Sequence, residues 1–140
     1  LYSCLKVRNL SFVFRTDASL QIGSGHVMRC LTLSETLRDL GETVEFITRA
    51  HTGNLDAFIE SKGFKIHSLP LRSSIGSATE IELPGYEKWL GVTQMNDAEE
   101  TKKLIKNQKY QPDWLIVDHY ALDSKWEKIL NTFIVLLRRW

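Results

Sequence analysis

Cysteine is scarce in this chain. There are two in 140 residues, Cys4 and Cys30, with no CxxC pair and no clustered histidines. That leaves no basis for a disulfide framework or a zinc site, and it fits a reducing, cytoplasmic setting. No Asp/Glu/His grouping has ligand spacing for Mg²⁺ or Zn²⁺ either, so catalysis without a metal or other cofactor is expected. Excess charge is also lacking: 18 basic residues stand against 17 acidic ones, a net +1, and no basic stripe emerges to bind nucleic acid. The longest apolar run near the end, Phe133–Leu137, is far too short to cross a bilayer. Leu1–Leu10 lacks the apolar core of a signal peptide, and no internal repeat or low-complexity segment is visible. A chain that is 43% hydrophobic and 25% charged has the make-up of a globular domain able to bury a core.

What is present is an alternation of apolar runs and helical patterns. Ser11–Thr16 (SFVFRT) reads as a buried strand, rich in aromatic and β-branched residues. From Gly25 to Leu40, Val27, Cys30, Leu31, Leu33, Leu37 and Leu40 recur at three- to four-residue spacing, which predicts a helix ended by Gly41 in the left-handed conformation. Thr43–Thr48 reads as a second strand, Leu55–Lys62 as a short helix closed by Gly63, and Phe64–Leu69 as a third strand stopped by Pro70. Leu71–Met95, with its Ser, Gly and Pro, reads as a long loop of the kind that is usually functional or disordered. Asp97–Asn107 reads as a polar helix whose acidic first turn and basic last turn match the macrodipole. Trp114–Val117 is a continuous apolar strand, Ser124–Leu130 a further helix, and Phe133–Leu137 a candidate fifth strand. The whole predicts an α/β, Rossmann-like parallel sheet with helices on both faces.

Such sheets bind ligands at the carboxyl ends of their strands. Two segments fall there. Gly23-Ser24-Gly25-His26 links the first strand to its helix, where glycines admit close approach and free amides attract anions. It is not the dinucleotide fingerprint, because Met28 stands where the third glycine belongs and Thr48-Arg49 where the acidic residue should end the second strand. No GK[ST] of a phosphate loop is present. A helix start disfavours an imidazolium, so His26 is expected to stay neutral and to suit general-base work. The plainer alternatives are a tight turn for the glycines and a local cap for His26. Asp118-His119-Tyr120 follows the fourth strand, and its plainer reading is a capping Asp118 with Tyr120 packed at the surface. Trp89 and Tyr86 are of a type that stacks on sugars, yet read more simply as anchors of the long loop. His51 and His67 carry no pattern and read as structural, and Cys30 reads as a core residue.

The run Arg15-Thr16-Asp17-Ala18-Ser19-Leu20-Gln21-Ile22-Gly23-Ser24-Gly25-His26-Val27-Met28-Arg29-Cys30-Leu31-Thr32-Leu33 closely resembles the N-terminal motif of the UDP-sugar hydrolases of the pseudaminic-acid pathway. Trp89-Leu90-Gly91-Val92, Asp97-Ala98-Glu99-Glu100-Thr101 and Val117-Asp118-His119-Tyr120 resemble the same family, so the likeness covers most of residues 12–130. The resemblance implies two Rossmann-like domains facing each other across a cleft, in the manner of the glycosyltransferase-B architecture. It implies hydrolysis of UDP-2,4-diacetamido-2,4,6-trideoxy-β-L-altrose to UDP and the free sugar. The family's catalytic histidine falls on His26 and its sugar-site tyrosine on Tyr120, with Gly23, Ser24, Gly25, Asp118 and His119 expected to line the substrate. Residues 11–140 correspond to the sugar-facing domain. Asn131–Trp140 departs from the family's continuation, so the UDP-binding domain is expected to be missing from this chain as a partner, and the fragment to be inactive alone. Two other readings remain open: the acceptor-side half of a glycosyltransferase, and a non-catalytic sugar- or partner-binding remnant.

Overall fold

The computed structural model describes residues 8–71, 83–108, 111–130 and 135–137. Its elements are β1 (Ser11–Thr16), α1 (Gly25–Asp39), β2 (Thr43–Arg49), α2 (Asp56–Ser61), β3 (Lys65–Leu69), α3 (Glu87–Leu90), α4 (Gln94–Lys106), β4 (Trp114–Asp118), α5 (Ser124–Leu130) and β5 (Val135–Leu137). The five strands form one sheet in the order β3-β2-β1-β4-β5, and every pairing is parallel. This is the Rossmann-like α/β arrangement that the sequence predicts.

Both faces of the sheet are covered, which is why β1 and β4 carry continuous apolar runs, Phe12–Phe14 and Trp114–Val117, rather than alternating ones. Phe12, Phe14, Val44, Phe46 and Ile116 face α1 and α2 and pack with Val27, Cys30, Leu31 and Ile59. Val13, Ile47, Leu115 and Val117 face the other way, against Leu90, Val92, Ala98, Ile105, Trp126 and Leu130 of α3, α4 and α5. Arg15 and Arg49 share that second face, and both are fully buried.

Those two arginines depend on an acidic residue with a role unlike the one expected. Asp97 is not a solvated first-turn charge on α4 but is itself fully buried. Its carboxylate accepts from Arg15 Nη2 at 2.6 Å, Arg49 Nη2 at 2.7 Å and Trp126 Nε1 at 2.9 Å. Arg15 Nη1 also donates to Asp17 Oδ1 at 2.6 Å, and Arg49 Nη2 to Glu100 at 2.6 Å. Burial alone would raise the Asp97 carboxyl, but the two guanidinium groups outweigh it and hold it below its ordinary value.

Three other expectations change. Leu40 is 72% exposed and lies outside the packed stripe of α1, because the helix ends at Asp39 just before the left-handed Gly41 (φ +88°). Within the stretch expected to be a loop, residues 87–90 form the helical turn α3, and α4 begins at Gln94 rather than Asp97. Thr93 explains that start, since its hydroxyl accepts the Asn96 amide at 3.1 Å as an N-cap. The remainder of that loop, 72–82, lies outside the described residues, as do Cys4, 131–134 and 138–140. Of the candidate fifth strand, Val135–Leu137 pairs with β4.

Candidate functional site

Strand order reverses at β1. From it the chain moves to β2 on one side, and β4 fills the other, so the crevice between the carboxyl ends of β1 and β4 is the switch point of the sheet. The two sequence segments singled out for ligand binding meet there. Thr16 and Asp118 are register partners at the ends of their strands.

The turn after β1 is tied to itself. The Ser19 hydroxyl accepts the amides of Gln21 at 3.2 Å and Ile22 at 2.9 Å, and the Ser19 carbonyl accepts the Gly23 amide at 2.9 Å. Gly23 takes φ +79°, a conformation that costs little only for glycine. Gly23, Ser24 and Gly25 are all exposed, and a Cβ at Gly23 or Gly25 would meet open space. Ser24 makes no side-chain cap, so nothing from its own side chain occupies the first-turn amides of α1. That end of the helix is open to an anion.

His26 follows one residue into α1 and is only 5% exposed. Its Nδ1 lies 2.7 Å from Asp118 Oδ1. Two lone pairs at that distance would repel, so Nδ1 carries a proton, and Nε2 is the basic nitrogen of the neutral ring. Arg29 Nη2 lies 3.0 Å from the same Nδ1, but its hydrogens go to the carboxylate: Nε to Oδ2 at 3.1 Å and Nη2 to both oxygens at 2.8 and 2.9 Å. Burial would raise the Asp118 carboxyl, yet hydrogen bonds from His26 and Arg29 win and hold it below its ordinary value. Asp118 is thus an ionised orienter of His26 rather than a turn cap.

Tyr120 meets His26 edge-to-face, with ring centroids 4.4 Å apart, and is 58% exposed. Tyr86 and Trp89, on or beside α3, complete an aromatic group with it: Tyr86 lies 6.0 Å from Tyr120 and 5.1 Å from Trp89. His119 does not reach the open face. It is buried, its Nδ1 accepts the Ala121 amide at 3.0 Å, and its Nε2 lies 3.0 Å from Asp17 Oδ2, off the line of a good hydrogen bond. His51 Nε2 lies 3.3 Å from the same oxygen. Asp17 would be raised by burial, but Arg15 and the two imidazoles keep it well below its ordinary value.

Arg29 was not singled out in the sequence, although its position three residues after His26 puts both on one helix face. Cys30 is a core thiol that burial pushes up to about 12, which removes it as a nucleophile at neutral pH. Two open hollows among the described residues lack comparable chemistry. One lies where the strands begin, lined by Arg8, Asn9, Ser11, Thr43, Gln111 and Asp113, and another on the outer surface of α4. Among the described residues no group of three or more His, Cys, Asp or Glu side chains is placed to hold a metal ion. No helix among them is long and apolar enough to cross a membrane.

No protein-family model matches the chain. A protein of Methanosarcina mazei described as an uncharacterized glycosyltransferase is 30% identical over 117 residues, which cover 82% of this chain and 30% of that protein. The likeness is to a glycosyltransferase-like protein. It does not single out a hydrolase, and the chain spans less than a third of that relative's length.

Proposed function

We propose that this chain forms the sugar-facing side of an enzyme that cleaves a UDP-sugar, with His26 as general base. The substrate we assign is UDP-2,4-diacetamido-2,4,6-trideoxy-β-L-altrose, hydrolysed to UDP and the free sugar. The observation that carries this reading is the 2.7 Å contact of His26 Nδ1 with Asp118 at the switch point of the sheet. A carboxylate at Nδ1 fixes the tautomer and steadies the imidazolium that forms when Nε2 takes a proton.

The chemistry follows from these groups. A water oxygen bonds to the anomeric carbon while the bond from that carbon to the β-phosphate oxygen breaks. The water proton passes to His26 Nε2, and UDP departs with the electron pair without needing a strong acid. General-base assistance of this kind is worth roughly 10²–10⁴ in rate. The exposed Gly23–Gly25 turn and the first amides of α1 would hold the anionic side of the substrate. A facing UDP-binding domain, in a glycosyltransferase-B-like arrangement, would supply the remaining contacts to the diphosphate.

The description of the Methanosarcina relative favours a second reading, in which a sugar hydroxyl replaces water and the same base deprotonates it. The two are separated by measuring UDP release from this chain joined to a UDP-binding domain, with and without acceptor sugars. Release without acceptor supports hydrolysis. Release that needs an acceptor makes the protein a transferase, and no release under either condition leaves a sugar-binding module.

A further inference from the structure

Tyr86 and Trp89 extend the aromatic surface of Tyr120, whose ring meets His26. Tyr86 is 57% exposed and is stacked on Tyr120 with an interplanar angle of 29°, while Trp89 is half-buried and meets Tyr120 at 63°. Anchoring of the α3 turn does not explain them, because other groups do that. Leu90 and Val92 enter the core, and Gly91 closes α3 in the left-handed conformation (φ +77°) against the His51 ring. Glu87 Oε1 accepts the Gln94 amide at 3.0 Å, and Gln94 Oε1 accepts the Asp123 amide at 3.0 Å, tying α3 to the segment that follows β4. The rings therefore sit on a turn held in place by core and hydrogen-bond contacts that do not involve them.

A partly exposed aromatic surface that reaches a histidine through Tyr120 suits the apolar face of a pyranose. Axial C–H groups, an acetamido methyl and a C6 methyl are all apolar and pack on ring faces, whereas a fully hydroxylated sugar offers less such surface. We infer that Tyr86 and Trp89, continuous with Tyr120, form the wall that selects an N-acetylated 6-deoxyhexose at this site. The inference rests on the sugar-facing reading proposed above and adds the residues that set sugar specificity.

The test is an NMR titration of the 140-residue chain with 2-acetamido-2,6-dideoxyglucose, with glucose in parallel. The Trp89 indole N–H signal, identified by its loss in Trp89→Phe, reports on the wall, and the His26 ring signals report on the base. The expected result is that the deoxy sugar moves both sets of signals and binds more tightly than glucose. Tyr86→Ala should weaken that binding roughly tenfold, while Tyr86→Phe, which keeps the ring, should retain most of it. Because Tyr86 is exposed, both variants should keep the wild-type spectrum elsewhere. Movement of His26 with Trp89 silent, or equal affinity in Tyr86→Ala, overturns the wall and leaves the base assignment standing. Movement of Trp89 with His26 silent keeps the wall and removes His26 from the sugar site. If neither set moves, the wall is overturned, and the UDP-release assay decides the wider reading by itself.

Discussion

His26 and Asp118 are 92 residues apart in the chain, yet Nδ1 of one lies 2.7 Å from Oδ1 of the other. The contact joins the start of the first helix to the end of the fourth strand. It gives the histidine an assigned donor nitrogen and an assigned basic nitrogen. The activity tied to this pair is that of the chain joined to a UDP-binding domain.

His26→Ala should lower kcat for UDP release by roughly 10²–10⁴, the usual worth of a general base. The residue is buried, so the thermal midpoint is measured alongside. A variant that stays folded and turns over at the wild-type rate would remove His26 from the mechanism.

Asp118→Asn keeps the shape of the side chain but removes its charge, so it neither fixes the His26 tautomer nor balances Arg29. The expected loss in kcat is roughly 10²-fold or more, with KM changed much less. An effect confined to KM would make Asp118 a substrate-binding group instead.

Asp97→Ala should destabilise the fold by about 3–5 kcal/mol, because it leaves the Arg15 and Arg49 guanidinium groups buried with a partner missing. Urea unfolding at neutral pH measures this directly. A change of a few tenths of a kcal/mol would mean that water or a shifted side chain replaces the carboxylate without difficulty.

Stability should fall in acid. Asp17 and Asp97 titrate in the folded chain below the ordinary carboxylate value of 3.8. A carboxyl lowered on folding stabilises the protein above its unfolded pKa, and that contribution disappears as pH falls through the folded value. Unfolding free energies from these two groups should therefore be alike at pH 7 and pH 5 and drop below about pH 3.8. In Asp97→Asn the drop should be smaller. An equal acid drop in that variant would assign the effect to other carboxylates.

Much of the architecture was already legible in local pattern. Phe12–Phe14 and Trp114–Val117 are unbroken apolar runs because both sheet faces are covered, and that burial leaves its mark directly on composition. Gly41 and Gly63 close their helices at positive φ, as their positions after the apolar stripes suggested. The capping hydroxyl of Thr93 is equally local, three residues before the Asn96 amide that it accepts.

The sequence by itself determined the α/β alternation, the glycine turn before α1 and the presence of a histidine at that helix start, because each rests on neighbours within a few residues. Tertiary structure alone decided what surrounds that histidine. Polar partnerships such as His26 with Asp118, or Arg15 and Arg49 with Asp97, join residues tens of positions apart, and a charged side chain looks the same in sequence whether solvated or buried. The same holds for Tyr86 and Trp89. Their ring type is visible in the sequence, but their place beside Tyr120 follows from how α3 docks against the sheet, through Leu90, Val92 and the close approach of Gly91 to His51.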